Sequence, residues 1–435
     1  MTDTIFAPAT AQGRAGVAII RLSGPDAAAA LTALTGRPLP APRFAARATY
    51  RDAKGDLLDR GLALFFPRPA SFTGEDVVEL HLHGGRAVSA AIMDALGALP
   101  RLRPAEPGEF SKRAFLNGKL DLTEAEAIAD LVDAETRAQQ RQALRQLDGA
   151  LGRLYEAWAR DLVHALAHLE ADLDFPDEDL PDGVADQTRP ALRRILDEIT
   201  EHLSDNRRGE RLRSGVEVAI LGAPNAGKSS LLNVLARRDA AIVSDIAGTT
   251  RDVIEVHMDL SGFPVILADT AGLRETADRI EDEGVRRALA RAERADLKLL
   301  LYDGSLWPAK DAATADLRDG DAIEIVTKAD LLPVTDNLPL AISTVTGAGL
   351  DDLLDRLAEA VASRLAGSGP ALTRARHRAA LEDAKTALDR AMTAPSPELV
   401  AEDVRLAVRA IGRITGRVDV EDLLDVVFRD FCIGK

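Results

Sequence analysis

A phosphate-binding loop constrains this chain more than any other feature of its sequence. The segment Gly222-Ala-Pro-Asn-Ala-Gly-Lys-Ser229 follows the apolar run Val216–Leu221 and precedes helix-like text from Ser230 onward. Glycines let backbone N–H groups close around phosphate oxygens, Lys228 supplies charge to the β- and γ-phosphates, and the Ser229 hydroxyl can ligate Mg²⁺. Both flanking contexts are those of a P-loop, so the motif predicts a nucleotide-binding α/β domain.

A second motif predicts the rest of the metal and γ-phosphate site. Asp269-Thr-Ala-Gly272 follows the apolar strand Phe263–Ala268, at the sheet edge where open α/β folds bind ligands. We expect Asp269 to hold Mg²⁺ through water and the Gly272 N–H to meet the γ-phosphate. The intervening loop carries Gly248-Thr-Thr-Arg-Asp252, and we expect Thr250 to bring a second hydroxyl to the metal.

The position after Gly272 is Leu273, where familiar switch GTPases carry a glutamine that orients the attacking water. Hydrolysis therefore needs help from another group. Glu281 lies a short way downstream in an acidic stretch and can reach the site if that segment closes down. The alternative is that Glu281 belongs to a solvated helix surface, as most such carboxylates do.

Base choice is indicated by Thr327-Lys-Ala-Asp330, which follows the strand Ile323–Val326. A carboxylate at Asp330 can accept from both the ring N–H and the exocyclic amine of guanine, whereas adenine would leave it unpaired. The motif therefore favours GTP over ATP. An ordinary strand-end turn is the alternative for so short a motif.

The hydrophobic period changes three times along the 435 residues. Residues 1–118 alternate short apolar runs with turn signals and predict an α/β domain, and residues 119–213 have helical spacing. Residues 214–368 alternate strands with helices, and residues 369–435 return to helical text. We therefore predict a multidomain α/β plus all-α protein, with a helical domain in two halves and an α/β domain inserted between them.

Composition limits the partners and the compartment. A formal net charge of -16 argues against coating nucleic acid through bulk electrostatics, and 4% aromatic residues argue against a stacking surface for single strands. Cys432 is the single cysteine, so no intramolecular disulfide is possible. With no long apolar run and no basic-then-apolar leader, we expect a cytoplasmic protein.

The motifs, in this order and with helical text on both sides, resemble the tRNA modification GTPases of the MnmE (TrmE) family. The likeness runs over essentially the whole chain. Besides the nucleotide motifs it is carried by Ile5–Thr10, Gly16–Gly24, Ser71–Asp76, His81–Gly85, Pro107–Ser111, Asn117–Leu122 and Phe431–Lys435.

The resemblance implies an N-terminal folate-binding domain that also forms a constitutive homodimer. Its ligand would be a 5-formyltetrahydrofolate-type folate. The matching folate contacts in this sequence are Arg21, Glu79, Lys119 and Lys435.

The resemblance also implies an inserted Ras-like G domain that K⁺ activates, in the place where other GTPases receive an arginine finger. The K⁺ ligands would be Asn225, Ser244, Ile246 and Thr249, the Mg²⁺ ligands would be Ser229 and Thr250, and Glu281 would position the water together with Thr250 and Gly272. The implied GTP contacts are Asn225, Ala226, Gly227, Lys228, Ser229, Ser230, Ser244, Thr249, Thr250, Asp269, Thr270, Ala271, Gly272, Thr327, Lys328 and Asp330.

Family likeness further implies a partner, the FAD-dependent MnmG subunit, with which the chain would modify C5 of the wobble uridine of tRNA. Two other interpretations stay open at this point. One is a GTP-dependent regulator of ribosome assembly or membranes that carries no chemistry. The other is a one-carbon transferase with an unrelated GTPase attached.

Two positions depart from the family pattern. Thr327 stands where the guanine motif usually begins with asparagine. This change puts one hydrogen bond in question, either to the phosphate loop or to the guanine base. Thr344 stands where an alanine usually follows Ser343, which leaves the backbone contact to the guanine carbonyl open.

Several weaker signals carry alternatives. His81 and His83 alternate on a strand with Glu79, so a metal site competes with ordinary hydrogen bonding. Cys432 is either a reactive thiol near the chemistry or an inert one. Arginines at the two joints of the inserted domain suggest either a patch for tRNA or the partner, or a salt-bridged hinge. They are Arg207, Arg208, Arg211, Arg213, Arg374, Arg376 and Arg378.

Overall fold

The computed structural model describes residues 3–11, 13–174, 184–238, 240–242, 255–269, 294–332, 339–367, 369–418, 424, 427–429, 431–432 and 434, without the side chains of 172–174, 184–187 and 269. The chain divides into two compact units. Unit 1 comprises Met1–Val132, Gln146–Arg193 and Thr386–Lys435, and unit 2 comprises Asp133–Arg145 and Arg194–Lys385.

The strands are β1 Thr4–Pro8, β2 Ala15–Ser23, β3 Ala46–Arg51, β4 Leu57–Phe66, β5 Val77–Gly84, β6 Leu102–Pro104, β7 Val216–Gly222, β8 Ala241–Ile242, β9 Glu255–Leu260, β10 Phe263–Asp269, β11 Leu297–Asp303, β12 Ala322–Thr327 and β13 Leu340–Ala341. The described helices are α1 Ala27–Thr35, α2 Arg86–Gly97, α3 Glu109–Leu116, α4 Leu122–Asp133, α5 Arg137–Leu147, α6 Ala150–Asp174, α7 Val184–Leu203, α8 Arg208–Ser214, α9 Lys228–Leu235, α10 Ala312–Ala315, α11 Leu350–Leu365, α12 Ala375–Thr393 and α13 Pro397–Thr415.

Unit 1 contains a six-stranded sheet in the order β3-β4-β5-β2-β1-β6. The pairs are antiparallel except β1 with β6, which is parallel. Side chains alternate between the two faces of a strand, and Ile20, Ala63 and Leu80 lie on the buried face in a core that also contains residues of α1 and α2. The opposite face carries Arg21 and Glu79.

The helical part of unit 1 follows from a 3.6-residue apolar period. Along α6 the buried residues Tyr155, Trp158, Leu162, Ala165 and Leu169 form one stripe, and α6 packs along α13. Helix α13 begins with a proline in its first turn and ends at Gly416, whose φ of 85° is in the left-handed region that closes helices.

Arg113 lies at the centre of a buried ion network in unit 1. Its side chain is 0% exposed, and its guanidinium is 2.9 Å from Glu109, 3.0 Å from Glu75 and 3.1 Å from Asp3. Arg103 pairs with Asp3 and Glu109 at 2.6 Å each. Burial opposes ionisation of Glu109, but hydrogen bonds from Arg103, Glu106 and Arg113 outweigh it and lower its pKa. The network joins the residue before β1, strand β6, helix α3 and the loop before β5.

Unit 2 contains a seven-stranded sheet in the order β13-β12-β11-β7-β10-β9-β8. The five strands β13, β12, β11, β7 and β10 are parallel to one another. Strands β9 and β8 extend the sheet beyond β10 with antiparallel pairing. One large apolar cluster joins the strands to α9 and α11. The carboxyl ends of β7, β10, β11 and β12 therefore meet at one edge.

Residues 133–145 belong to unit 2 although they are distant in sequence from its sheet. The Ala138 N–H donates to the Gly262 carbonyl at 3.0 Å, and the side-chain amides of Gln139 and Gln142 donate to the carbonyls of Arg213 and Gly209. The first turns of α5 thus cover backbone acceptors next to β10 and in α8.

The predicted fold class is confirmed, since the structure contains an N-terminal α/β domain, a helical part and an α/β sheet with a P-loop. The domain boundaries drawn from the sequence remain predictions. Within the described ranges, no helix has both the length and the apolar character needed to span a bilayer.

Replacing Arg113 with alanine is expected to destabilise unit 1 by about 3–5 kcal/mol, because Glu75 loses its charge partner and Arg103 alone is left to pair with Asp3 and Glu109. Urea denaturation followed by a probe in unit 1 measures the loss. Arg101→Ala is the matched control, since Arg101 pairs with Asp26 but is 70% exposed, and its expected cost is below about 1 kcal/mol. Equal losses in the two variants would contradict a special role for the buried network.

Candidate functional site

The phosphate loop of unit 2 is a tight connection between β7 and α9. Asn225 and Gly227 have φ values of 65° and 90°, both left-handed, and the Leu231 N–H returns to the Gly227 carbonyl at 2.9 Å. A Cβ on Gly222 would lie 2.6 Å from the Leu301 carbonyl oxygen. Glycine is therefore required at Gly222 by the neighbouring strand and favoured at Gly227 by the backbone conformation.

The first turn of α9 presents the residues predicted to contact phosphate and Mg²⁺. Lys228 Nζ donates to the carbonyls of Gly222 and Ala223 at 2.8 and 2.9 Å, so it lies across the loop. Ser229 and Ser230 are exposed. A helix N-terminus with exposed hydroxyls and an ammonium group across its loop is a site suited to an anion.

Thr327 connects the base motif to the phosphate loop. It is the last residue of β12 and is 2% exposed. Its Oγ1 lies 2.8 Å from the Ala226 carbonyl oxygen and 3.1 Å from the Tyr302 carbonyl oxygen. The loop contact questioned at this position is therefore present in the structure.

Lys328 is held at the end of β12 by a carboxylate from β11. Its backbone is left-handed with φ 55°, and its Nζ is 2.5 Å from Asp303 Oδ2. Burial raises the pKa of Asp303, but hydrogen bonds from Lys328 and Ser305 outweigh burial and lower it. Asp303 therefore stays ionised and orients Lys328.

Asp330 is oriented by the loop that follows β13. The Ser343 hydroxyl donates to Asp330 Oδ1 at 2.5 Å and accepts from the N–H of Thr346 at 3.1 Å. The Ala329 N–H also donates to the Ile342 carbonyl at 3.0 Å. These bonds fix the carboxylate of Asp330 at the sheet edge. The contact of the Thr344 backbone with the guanine carbonyl stays a prediction.

Much of the predicted catalytic set lies outside the described residues. Asp269 is described only as the last residue of β10, in register with Ile220 of β7. The remaining positions lie wholly outside: Ser244, Ile246, Thr249, Thr250, Thr270, Ala271, Gly272, Glu281 and Lys435. Their roles stay predictions.

In unit 1, two of the predicted folate contacts meet at one cavity. Arg21 Nη2 is 3.0 Å from Glu79 Oε1, and the Arg21 guanidinium carbon is 5.6 Å from the Phe72 ring centre. The cavity has a volume of about 270 Å³, and Arg43 and Phe66 also line it. A paired arginine and carboxylate between aromatic rings suit a flat, hydrogen-bonding heterocycle.

Lys119 and Cys432 have less decisive surroundings. Lys119 Nζ donates to the Pro69 carbonyl at 3.2 Å, next to Ala70 of the cavity wall. Cys432 is an exposed free thiol, and its carbonyl accepts from the Gly108 N–H at 3.4 Å. The thiol is accessible, and its reactivity remains a prediction.

Of the two histidines of β5, His83 is hydrogen-bonded, whereas the His81 ring lies near Glu79 without a hydrogen bond to a described residue. His83 Nδ1 is 2.8 Å from Asp59 Oδ1, whereas His81 Nε2 is 3.5 Å from Glu79 Oε2. Among the described residues, no group of three or more His, Cys, Asp or Glu side chains could hold a metal ion. For His83 the described part of the chain therefore favours hydrogen bonding over a metal site.

Two of the arginines at the joints of the inserted domain, Arg211 and Arg378, are paired with acids. Arg378 contacts Asp205 and Glu210 at 2.7 Å each, and Arg211 contacts Asp296 at 2.6 Å. Burial disfavours the charged form of Arg378, but these hydrogen bonds outweigh it and raise its pKa. The structure favours the salt-bridged hinge over a phosphate-binding patch for these two arginines.

Sequence reasoning missed Asp303, Ser343 as a ligand-orienting residue, and Arg43. Asp303 had a usable signal, because it ends an apolar strand at the same sheet edge as the other motifs. Ser343 belongs to a segment that the sequence predicted to contact guanine through its backbone, and no role was predicted for its hydroxyl. Arg43 had no signal, since its place at the cavity depends on a turn with φ 61°.

A parallel sheet with a P-loop after β7, a guanine-type carboxylate after β12 and an aspartate ending β10 defines a P-loop GTPase. Sequence comparison refines this class. A profile described as the GTP-binding protein TrmE N-terminus matches residues 4–119, and one described as the MnmE helical domain matches residues 122–432.

Three relatives are each named tRNA modification GTPase MnmE. The protein of Rhodospirillum rubrum is 61% identical over 453 residues, covering 100% of this chain and 99% of that protein. Those of Paramagnetospirillum magneticum and Parvibaculum lavamentivorans are 60% and 59% identical, with 100% of both chains covered in each case. The chain belongs to the MnmE family of tRNA modification GTPases.

Membership of this family decides between the interpretations left open by the sequence. The chain is a GTP hydrolase that acts in tRNA modification. This excludes the first alternative, a GTP-dependent regulator that carries no chemistry. Because the relatives match over the whole chain, the N-terminal domain and the GTPase occur together in them and are not an unrelated fusion.

Proposed function

We propose that this chain is a K⁺-stimulated GTPase that drives modification of C5 of the wobble uridine in certain tRNAs. It acts with an FAD-dependent MnmG partner and uses a one-carbon unit from a formyltetrahydrofolate. The product is a 5-carboxymethylaminomethyl- or aminomethyl-type uridine. The observation that carries the proposal is the meeting of Lys228, Thr327 and Asp330 at one edge of the unit 2 sheet.

The nucleotide site supports GTP with Mg²⁺ and K⁺. Ser229 would contribute a hydroxyl to Mg²⁺, and Asn225 would contribute its amide oxygen to K⁺, since hard cations prefer oxygen ligands. Asn225 is exposed, and its left-handed backbone sits in the loop itself. When bound, the ions supply positive charge to the phosphates, which is the role an arginine finger has elsewhere.

GTP hydrolysis by the full-length protein is expected to be at least about ten-fold faster in KCl than in matched NaCl, because a cation of the right size completes the site. Glu281→Ala should lower kcat by about 10²-fold, the usual scale for losing a group that positions or activates water. Glu359→Ala is a control on the exposed side of α11. Equal rates in the two salts would remove the K⁺ proposal while leaving GTPase activity intact.

The N-terminal cavity supports folate binding. The Arg21–Glu79 pair offers both a donor and an acceptor edge, and the Phe66 and Phe72 rings give it apolar walls. His81 Nε2 is buried and makes no hydrogen bond to any described residue, so it is a further donor or acceptor next to Glu79. Lys119, near the cavity wall, would meet an anionic part of the ligand, and Lys435 would join it.

Glu79→Gln is expected to weaken binding of 5-formyltetrahydrofolate by about ten-fold or more, because a charge-assisted hydrogen bond is worth about 1.5–3 kcal/mol. Isothermal titration of the full-length protein measures the affinity. Glu106→Gln, an exposed carboxylate in the same domain, should bind as the unchanged protein does. Unchanged affinity in Glu79→Gln would place the folate elsewhere.

Homodimer formation is supported by the sheet face that carries the cavity. Ile19, His81 and Leu62 form one row across β2, β5 and β4, on the face opposite the α1 and α2 core. Leu62 is 41% exposed, and Val17 on β2 is 54% exposed. An apolar sheet face next to a ligand cavity fits a second copy of the chain, since large exposed apolar patches mark interaction sites.

Leu62→Glu is expected to weaken dimerisation by about ten-fold or more, because a charge on an apolar interface is left without a partner. Sedimentation velocity over a concentration series gives the dissociation constant. Leu306→Glu is the matched control, since Leu306 is 66% exposed and lies in unit 2. A dimer equally tight in both variants would rule out this face.

Exposed Cys432 and the folate cavity both lie in unit 1, which supports one-carbon chemistry there rather than at the nucleotide site. The division of that chemistry with the FAD-dependent partner belongs to the same proposal. The test is to measure tRNA modification in a mixture of both subunits, folate, GTP and K⁺, and to withhold each component in turn. The proposal requires modification to fail whenever one of them is missing.

A further inference from the structure

The hydroxyl of Thr327 has its hydrogen committed within the protein. Its two neighbours, the carbonyl oxygens of Ala226 and Tyr302 at 2.8 and 3.1 Å, can only accept, so the hydroxyl is the donor in both contacts. A hydroxyl carries a single hydrogen. It is therefore shared between these carbonyls, in a site that is 2% exposed.

Guanine presents acceptors at N7 and O6 on the edge away from its amine. Reading N7 requires a donor. We propose that Thr327 is a positioning residue for the phosphate loop and leaves N7 unread, so that this chain selects guanine through Asp330 alone among its motif side chains. This inference rests on the proposed GTP site.

The loop has a physical need for such a contact. Ala226 is 1% exposed and lies between Asn225 and Gly227, which both have left-handed backbones. A left-handed non-glycine residue stores strain that its surroundings must offset. The Thr327 hydroxyl fixes the Ala226 carbonyl from β12, a strand on the far side of β11.

The same contact couples the two halves of the site. Asp330 is oriented by Ser343 from one side, and Lys328 by Asp303 from the other, so the motif is held without a base contact from its first residue. Thr327 instead shares its one hydrogen between the carbonyl of Tyr302 and that of Ala226, the residue before Gly227. Weakening the bond to Ala226 should therefore affect phosphate binding rather than base choice.

The first experiment compares GDP with 7-deaza-GDP, which lacks the N7 acceptor, by competition against a fluorescent GDP on the full-length protein. The unchanged protein is expected to bind the two within about two-fold of each other. Thr327→Asn adds a second donor and should prefer GDP by about five-fold, the scale of one hydrogen bond. A five-fold preference already present in the unchanged protein would overturn the inference.

The second experiment tests the contact to the loop. Thr327→Val keeps the shape but leaves two buried carbonyls without their donor, so GDP affinity should fall about five- to thirty-fold, while the ratio of GDP to 7-deaza-GDP stays unchanged. Thr327→Ser should restore affinity to within about three-fold. Full affinity in Thr327→Val would overturn the positioning role.

The outcomes also separate this inference from the proposed function. An unchanged protein that binds neither GDP nor 7-deaza-GDP would contradict the GTP site itself. If Thr327→Val fails to fold, as its melting curve would reveal, the comparison of the unchanged protein with Thr327→Asn decides the question.

Discussion

The position of β7 between β10 and β11 decides where the nucleotide-binding residues of this chain lie. In the parallel register, Gly222 is opposite Leu301 and Ile220 is opposite Asp269. Both neighbouring strands therefore end within two residues of the end of β7, and the loops after them leave from one edge. The close approach at Gly222 shows how little room this register allows, because even one methyl group would meet a carbonyl of β11.

The parts predictable from the sequence were those fixed by local chemistry. The spacing of glycines, lysine and serine after an apolar run was sufficient to place the loop between β7 and α9, and the strand before Asp330 was found in the same way. What remained hidden were contacts between residues distant in sequence. The pairing of Lys328 with Asp303 depends on β11 and β12 being neighbours, and the burial of Arg113 depends on acids from three separate segments.

The arginines at the joints illustrate the same limit. A run of basic residues in an acidic chain is equally compatible with an RNA surface and with internal ion pairs, and the sequence contains nothing that decides between them. The decision rests on where Asp205, Glu210 and Asp296 lie in space. Thr327 shows the opposite situation. In the sequence, threonine in place of the usual asparagine suggested that a contact was lost, but in the structure the shorter threonine side chain still makes the contact to the phosphate loop.

The packing of the terminal segment has a consequence for the order in which the chain folds during synthesis. Phe428 and Phe431 share a small apolar cluster with Leu122, and a Cβ on Gly434 would lie 2.0 Å from the Pro8 carbonyl oxygen. Unit 1 thus needs residues made after Lys385, the last residue of unit 2. The GTPase sheet can be complete on the ribosome while the helical part of unit 1, whose α6 is translated earlier, still lacks α13 and the terminal phenylalanines.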